Sequence, residues 1–469
     1  MEFGEFILAH DGEDLGRLAL ARGRYAGEVE DFDLALTTLE VRRKLRSKVP
    51  EWYAVPSLRY PLRVSGEQCS SPETARYKAA VAAAAVSAAA VASVASSASV
   101  EASAGRVWSI ADLTGGLGVD AWAFAQVASR VLYNEMRPEL ADAARRNFSA
   151  LGLENVQVSC RELVPGNVSE VLGGFRPDVL FLDPARRASD GRKVFRLEDC
   201  QPDVLQLLPE LLDACSHVLL KLSPMADITL VCKQLACVKG VHVVAAEGEC
   251  KELLLLLERN CDGPYGVTVY ENGSSLQVDQ VQAGSGPGPI LGAGPGPDSM
   301  HSKPLEGMVG GPGPGDESGP GPIIGAGPGP GDVMQTLLGG EGTEDAGITP
   351  ILFEPGKALL KAGAFGLPCG YGLEKLGRHT HLYVGEVVPE ALRPVGKCFR
   401  VLESAPLDKR SIKDIGTRYP KADVTARNIP LTSDQLRKKL GVADGAPVHI
   451  FGLHIDALSA NYLLVCTSA

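Results

Sequence analysis

Between residues 105 and 262, short apolar runs typical of buried strands alternate with amphipathic runs typical of helices. The strand-like runs are RVWSIADL, RVLYNEM, VQVSC, PDVLFLDP, HVLLKLSP and VHVVAAEG, and helix-like runs such as AWAFAQVA and PELADAARRNFSALG separate them. Strands that are apolar throughout and take turns with helices predict a doubly wound parallel sheet with helices on both faces. In such a sheet, ligands bind at the carboxyl ends of the strands.

The chain of 469 residues exceeds what one hydrophobic core usually supports, so several domains are expected. The predicted regions are a helical N-terminal region (1–78), an Ala-rich spacer (79–104), the α/β domain (105–262), a small α+β domain (263–403) and a C-terminal α+β domain (404–469). A Gly/Pro-rich insert at 283–348 interrupts the fourth region, and its composition predicts disorder. Deletion of 284–331 is therefore expected to leave the melting transition nearly unchanged.

The run AAVAAAAVSAAAVASVASSASV at 79–100 has the length of a membrane span. Alanine and serine are weakly lipophilic, however, and no aromatic belt or basic flank brackets the run, so a helix in water or a loose spacer is the better interpretation. No membrane partner is expected.

The eleven cysteines form no CxxC pair, and the N-terminus lacks the pattern of a signal or transit peptide. A cytoplasmic location is expected, with an organellar one left open.

The net charge of −11 is unevenly distributed. Ten acidic residues and one lysine lie between positions 263 and 349, so most of the acidity belongs to one segment. The rest of the chain is close to neutral and contains basic runs such as RRKLRSK and RKK. Because the distribution of charge along the chain matters more than the net charge, the negative net charge does not exclude a nucleic-acid partner.

The stretch DLTGGLGVD joins a strand-like run to a helix-like run. The strand is predicted to end near Asp112, and Gly115, Gly116 and Gly118 form a turn in which backbone can approach a ligand closely. The next strand-like run ends at Glu135, where an acid would accept hydrogen bonds from both hydroxyls of a ribose. The glycine pattern alone also fits a degenerate dinucleotide fingerprint or a plain tight turn, so an NAD enzyme stays open at this point.

The stretch DVLFLDPARR at 178–187 resembles motif IV of class I S-adenosylmethionine (AdoMet) methyltransferases, in which an acidic or amide residue and a proline follow the fourth strand. The resemblance implies that Asp183, held by the stiff bond to Pro184, lies beside the transferable methyl and accepts a hydrogen bond or proton from the attacking nitrogen. Methyl transfer is an in-line displacement that positioning accelerates, and it requires no metal. A strand-terminal aspartate that caps the next turn is the alternative.

Taken together, the motifs resemble the family of class I AdoMet-dependent methyltransferases with a THUMP-like C-terminal domain. The segments that carry this resemblance are VPEWY, QCSSPETARYKA, ADLTGGLGVD, DPARR, GRKVFRLEDCQPDVL, KLSPMADI, VHVV, ECKELL, EPGKALLKAGAFG, THLY and RYPKADVTARNIPLTSDQLRKKLGVADG. It implies a Rossmann-like class I methyltransferase sheet, a helical N-terminal region and small α+β C-terminal domains, with AdoMet as cofactor.

The resemblance also implies roles for individual residues. The implied AdoMet contacts are Asp112, Thr114, Gly115, Gly116, Gly118, Glu135 and Glu162, the last near the adenine. The implied catalytic residues are Asp183, Pro184 and Arg186. The implied substrate-binding residues are Arg187, Arg192, Lys193, Lys221 and Ser223.

RNA is the implied partner, because THUMP domains generally bind RNA and the basic residues after Pro184 could clamp phosphates. We expect methylation of a base nitrogen in tRNA or rRNA. Methylation of a pyrimidine C5 usually needs a cysteine adduct, and the nearest cysteine, Cys200, is expected to open a helix instead. A catalytically silent RNA-binding or assembly factor, and a methyltransferase with a protein or small-molecule acceptor, stay open.

Two C-terminal motifs carry weaker signals. The spacing of His379 and His381 would place both on one face of a strand, but RHTHLY contains no Cys or acid, so ordinary histidines are expected and no metal site. Glu354 and Lys357 in EPGKALLKAGAFG could shape a substrate cleft, or could belong to a strand-turn-helix packing unit.

Overall fold

The computed structural model describes residues 1–25, 27–95, 107–186, 197–278, 350–445 and 447–469. The Gly/Pro-rich insert lies outside the described residues. The chain divides into two compact units, the first made of residues 1–280 with 356–362 and the second of residues 281–355 with 363–469.

The N-terminal region is helical, as predicted. Its helices are α1 (Phe3–His10), α2 (Leu15–Leu20), α3 (Arg22–Tyr25), α4 (Phe32–Lys48), α5 (Pro50–Tyr53), α6 (Arg63–Gln68) and α7 (Pro72–Ala95). Asp14 and Asp31 precede α2 and α4, and their side chains accept backbone N–H groups that have no partner within the helix.

Helix α7 contains the first part of the Ala-rich run. Ala75, Ala79 and Ala82 are buried in the same core as Phe124 and Phe181 of the sheet domain. Small side chains let this helix lie close to its neighbours, so residues 79–88 are packed helix rather than spacer. Within the ranges that the structure describes, no helix is both long enough and apolar enough to cross a membrane.

A nine-stranded sheet forms the centre of the first unit, in the order β11-β10-β8-β9-β7-β4-β1-β2-β3. Its strands are β1 (Ser109–Asp112), β2 (Arg130–Asn134), β3 (Val156–Ser159), β4 (Val179–Leu182), β7 (His217–Leu222), β8 (Val238–Ala246), β9 (Glu249–Glu258), β10 (Gly266–Glu271) and β11 (Ser274–Val278). The short strands β5 (Ala185–Arg186) and β6 (Cys200–Gln201) pair with each other. The intervening helices are α8 (Val119–Ala125), α9 (Pro138–Ala150), α10 (Val168–Leu172), α11 (Val204–Ala214) and α12 (Ile228–Gln234).

The strands from β3 to β7 are parallel, and the strand order reverses at β1, because β2 lies on one side of it and β4 on the other. This switch point opens a crevice at the carboxyl ends of β1 and β4, where an α/β sheet binds ligands. All the strand-like runs identified in the sequence are strands of this sheet.

The sheet as a whole is mixed rather than parallel, which corrects the sequence prediction. Strand β9 is antiparallel to both β7 and β8, and β11 is antiparallel to β10. Both hairpins turn through two residues with positive φ, Glu247–Gly248 and Asn272–Gly273, the geometry that two-residue hairpin loops favour. The second hairpin also carries the sheet past the predicted domain boundary at 262.

The second unit is built on a seven-stranded sheet in the order β13-β14-β12-β15-β18-β17-β16. Its strands are β12 (Ile351–Pro355), β13 (Glu374–Lys375), β14 (Tyr383–Gly385), β15 (Gly396–Pro406), β16 (Asp423–Arg427), β17 (His449–Ile455) and β18 (Ala460–Ser468). Its helices are α14 (Leu367–Gly370), α15 (Lys409–Arg418) and α16 (Ser433–Leu440), whereas α13 (Lys357–Lys361) belongs to the first unit. The predicted boundary at 403 falls inside β15, so the described parts of the two predicted C-terminal domains share one sheet.

Candidate functional site

The glycine turn after β1 passes tightly over the end of β2. The N–H of Gly115 donates to the carbonyl of Asn134 at 2.8 Å, and a Cβ at Gly115 would lie 2.2 Å from a ring carbon of Tyr133. Gly116 and Gly118 have φ angles of +55° and +95°, a region that residues with a side chain rarely adopt. The backbone therefore favours glycine at positions 116 and 118, and the ring of Tyr133 leaves no room for a side chain at position 115.

Glu135 holds this turn in place. The acid is nearly buried, and its two carboxylate oxygens accept the backbone N–H groups of Gly116 at 2.8 Å and of Arg137 at 2.9 Å. A carboxylate can accept about four hydrogen bonds, so both oxygens keep capacity for the hydroxyls of a ribose. The arrangement fits the nucleoside part of the predicted cofactor.

Thr114 links the loops on the two sides of the switch point. Its backbone N–H donates to Asp112 Oδ1 at 3.1 Å, and its hydroxyl oxygen accepts the backbone N–H of Asp183 at 2.6 Å. Burial, with a smaller contribution from Asp120, raises the pKa of Asp112 well above its usual range. The predicted cofactor residues after β1 and the predicted catalytic residue after β4 are thus brought together.

Asp183 forms an ion pair at the carboxyl edge of the sheet. Lys221, the corresponding residue on the neighbouring strand β7, places its Nζ 2.5 Å from Asp183 Oδ2. Burial alone would lower the pKa of Lys221, but the negative charges of Asp183 and Glu252 outweigh it, and the pKa is raised. Pro184 is buried behind Asp183, and Ser223 lies in the turn after β7, where its hydroxyl oxygen accepts the N–H of Met225 at 3.2 Å.

Lys221 continues into a buried network that the sequence analysis missed. Glu252 Oε2 lies 3.9 Å from Lys221 Nζ, and both oxygens of Glu252 contact Lys78 Nζ, at 2.8 and 3.0 Å. Lys78 also reaches Asp120 at 3.2 Å and Ser70 at 3.1 Å. Two features of the sequence could have indicated this network. Lys78 lies in the alanine-rich run KAAVAAAAV, and Glu252 precedes the leucine run in KELLLLL.

The structure does not bring the predicted residue Glu162 to this crevice, and it does not describe several others. Glu162 is exposed in the loop after β3, and nothing in the described part of the chain links its side chain to the glycine turn. The side chain of Arg186, and all of Arg187, Arg192 and Lys193, lie outside the described residues. Their predicted roles stay predictions.

The expected position of Cys200 was wrong. Cys200 is fully buried in β6, opposite Arg186, and helix α11 begins later at Val204, capped by the side chain of Asp203. The helix starts there because an aspartate is a far better N-cap than a cysteine.

The remaining C-terminal candidates have structural partners. Glu354 pairs with Arg427 at 2.7 Å, and the N–H of Lys357 donates to the carboxylate of Glu271 at 3.1 Å. His379 and His381 precede β14 and do not lie on a strand, and the ring centroid of His381 is 4.1 Å from that of Phe365. Across the described residues, no group of three or more His, Cys, Asp or Glu side chains is placed to hold a metal ion.

Comparisons with known proteins bear on the fold and on the class of protein. A family model described as "THUMP domain-like" matches residues 396–468, and one described as "ferredoxin-like domain" matches residues 352–391. The chain is 24% identical over 366 residues to proteins of two Mycobacterium tuberculosis strains named "Uncharacterized S-adenosylmethionine-dependent methyltransferase", a match covering 77% of this chain and 80% of each relative. It is also similar to a crystal structure of a protein from Porphyromonas gingivalis W83 assigned as a methyltransferase. That match has a TM-score of 0.68 and 27% identity, and covers 100% of this chain and 97% of that one.

The predicted resemblance is therefore confirmed. The fold and the comparisons indicate an AdoMet-dependent methyltransferase with a class I, Rossmann-like sheet, a helical N-terminal region and a THUMP-like C-terminal domain.

Proposed function

We propose that the chain transfers a methyl group from AdoMet to a nitrogen of a base in structured RNA, tRNA or rRNA. The observation that carries the proposal is the position of Asp183. Its backbone N–H is fixed by Thr114 of the cofactor loop, and its carboxylate is left half-exposed beside Lys221 at the open edge of the sheet. A carboxylate in that position can accept a hydrogen bond or a proton from an attacking amine.

AdoMet, when bound, supplies an electrophilic methyl on a positively charged sulfonium. The glycine turn and Glu135 would hold its nucleoside, and Asp112 would line the same crevice. Asp183 would orient the acceptor nitrogen and take its proton, while Lys221 pairs with the carboxylate and directs it. Positioning of this kind supplies much of the acceleration of a bimolecular displacement.

Nitrogen is favoured over carbon because the thiol nearest to motif IV in the sequence is inaccessible. The cysteine nearest to motif IV in the sequence, Cys200, has no exposed surface. A cysteine adduct at C6 of a pyrimidine requires a thiolate that the base can reach.

Two features support RNA as the acceptor. The C-terminal unit matches a THUMP-like family, and THUMP domains generally bind RNA. Within that unit, a cleft of about 550 Å³ between α15 and α16 is lined by Lys409, Lys413 and Lys439, a concentration of positive charge suited to phosphates.

The test is methylation of fractionated tRNA and rRNA by the purified full chain with methyl-labelled AdoMet, followed by mass spectrometry of the nucleosides. We expect a base methylated on nitrogen with wild type and none with Asp183→Asn, which should still bind AdoMet. Label found only in protein or small molecules would overturn the RNA acceptor. Equal transfer by Asp183→Asn would overturn the role of the carboxylate.

A further inference from the structure

Five ionisable side chains follow one another with alternating charge from the crevice into the core of the first unit. The order is Asp183, Lys221, Glu252, Lys78 and Asp120, and the successive distances between charged atoms are 2.5, 3.9, 2.8 and 3.2 Å. They come from the ends or interiors of β4, β7, β9, α7 and α8, so the series exists only in the folded unit.

The inner part of this series is removed from water. Lys78 has no exposed surface and Glu252 is 2% exposed. The Lys78 ammonium donates hydrogen bonds to Glu252 and Ser70 and lies 3.2 Å from Asp120 Oδ1 in an ion pair, which offsets the cost of burying its charge. Apolar side chains of similar volume would often stabilise a core equally well, so stability alone does not account for these charges.

Lys221 connects the buried residues Lys78 and Glu252 to the crevice. The Lys221 ammonium lies between two carboxylates, Asp183 on one side and Glu252 on the other. Glu252 therefore limits how far Lys221 can neutralise Asp183, and Lys78 in turn limits how strongly Glu252 attracts Lys221. Because all of these groups are buried or half-buried, the interactions are screened less than they would be at the surface.

We infer that Lys78 and Glu252 are positioning residues for methyl transfer, which act by fixing the Lys221 ammonium and thereby the direction and charge of the Asp183 carboxylate. The inference rests on the proposed role of Asp183. It extends the site to two residues that have no place in the crevice themselves.

Substituting the two residues has opposite consequences for Asp183. Glu252→Gln removes the competing carboxylate, so Lys221 neutralises Asp183 more fully and the crevice becomes less negative. Lys78→Met leaves Glu252 to attract Lys221, so Asp183 keeps more of its negative charge. A merely structural role would impair both variants in the same direction.

Calorimetric titration of the purified full chain with AdoMet and with S-adenosylhomocysteine reports the charge of the crevice beside Asp183. The measurement needs no methyl acceptor. Only AdoMet carries the positive sulfonium, so the ratio of the two affinities reports the potential beside it. With Glu252→Gln we expect the preference for AdoMet to fall by about threefold or more, and with Lys78→Met we expect it to rise by about twofold or more. In an Asp183→Asn background both changes should disappear, since coupled residues are not additive.

Glu258→Gln is the matched control, because it makes the same substitution at the other end of β9, where Glu258 pairs with Lys239 at 3.3 Å. It should leave the ratio unchanged. If one of the two core variants fails to fold, the other still tests the inference. The direction of its change in the affinity ratio, and the disappearance of that change with Asp183→Asn, decide the outcome. Changes in the same direction for Glu252→Gln and Lys78→Met, or changes that persist with Asp183→Asn, would overturn the inference.

Failure of the proposed function gives a different result. If wild type binds neither nucleoside, the cofactor site and this inference fall together. If it binds both but methylates no RNA, the RNA acceptor is wrong while the affinity ratios still test the positioning residues.

Discussion

The carboxylate of Glu135 accepts a hydrogen bond from the backbone N–H of Gly116 at 2.8 Å, so the acid after β2 fixes the glycine turn after β1. The glycine turn and Glu135, which lie apart in the sequence, therefore form one structural unit. The acid both shapes the loop and offers its remaining lone pairs to a ligand in the crevice.

Glu135→Gln should weaken AdoMet binding by about tenfold or more, because an amide cannot accept two backbone N–H groups and a hydroxyl, and hydrogen bonds to a charged group contribute about 1.5–3 kcal/mol. Calorimetry with AdoMet measures the loss. Glu139→Gln, an exposed acid in the first turn of α9, is the control and should bind as wild type does. Equal affinity of Glu135→Gln and wild type would contradict the assigned role.

Gly115→Ala should destabilise the first unit by about 1–3 kcal/mol and abolish AdoMet binding, because overpacking forces neighbours to move. The new Cβ would lie 2.2 Å from Tyr133, whose ring cannot retreat easily since its hydroxyl donates to the carbonyl of Gly116 at 2.5 Å. Denaturant unfolding and calorimetry are the measurements. Gly23→Ala, whose Cβ would meet no atom within 4 Å, should cost nothing. If the two variants are equally stable, the close approach at Gly115 is not a constraint.

The parts of the fold that local pattern determines could be predicted from the sequence. Apolar runs of strand length gave the parallel strands, and the glycine turn, Glu135 and Asp183 were found because each follows such a run directly. The antiparallel hairpins were not predicted, although ENG and AEG carry turn signals, because a regular alternation of strands and helices leaves no place for a hairpin.

The buried charge network could not be predicted in the same way. Lys78 and Glu252 are 174 positions apart, and each residue by itself reads as a surface charge on an otherwise apolar element. Only the packing of α7 against the sheet brings them together. Pairings between distant residues depend on tertiary structure, which propensity and periodicity do not encode.

Cys200→Ser should keep turnover within about threefold of wild type, and no covalent RNA adduct should form. The thiol is buried, and an acceptor nitrogen attacks the methyl directly without a nucleophile from the enzyme. The substitution places a hydroxyl in the core, so a loss of roughly 1–3 kcal/mol in stability is expected. Cys215→Ser is the matched control, since Cys215 is also buried, and burial raises the pKa of its thiol to about 11. Abolished turnover for Cys200→Ser alone, together with loss of an adduct seen in wild type, would point to methylation at carbon.

The imidazole of His242 makes the stability of the first unit depend on pH. Its Nδ1 lies 2.8 Å from the hydroxyl of Tyr77, and burial lowers the pKa of His242 to about 4. An unfolded histidine titrates near pH 6.5, so between about pH 6.5 and 4 the unfolded chain binds more protons than the folded one. The contribution of the neutral imidazole is therefore complete above about pH 6.5 and is lost as the pH falls towards 4.

His242→Asn removes the titrating group and keeps an acceptor for Tyr77. Between pH 7 and pH 5 its free energy of unfolding should fall by about 1–2 kcal/mol less than that of wild type, since one pKa unit corresponds to about 1.4 kcal/mol. Carboxylates that titrate in both proteins cancel in this difference. All three tryptophans, Trp52, Trp108 and Trp122, lie in the first unit, so fluorescence during denaturant unfolding follows the relevant transition. His379→Asn, an exposed histidine of the second unit, should behave as wild type does. If wild type and His242→Asn lose the same stability on acidification, the imidazole is not held neutral in the folded protein.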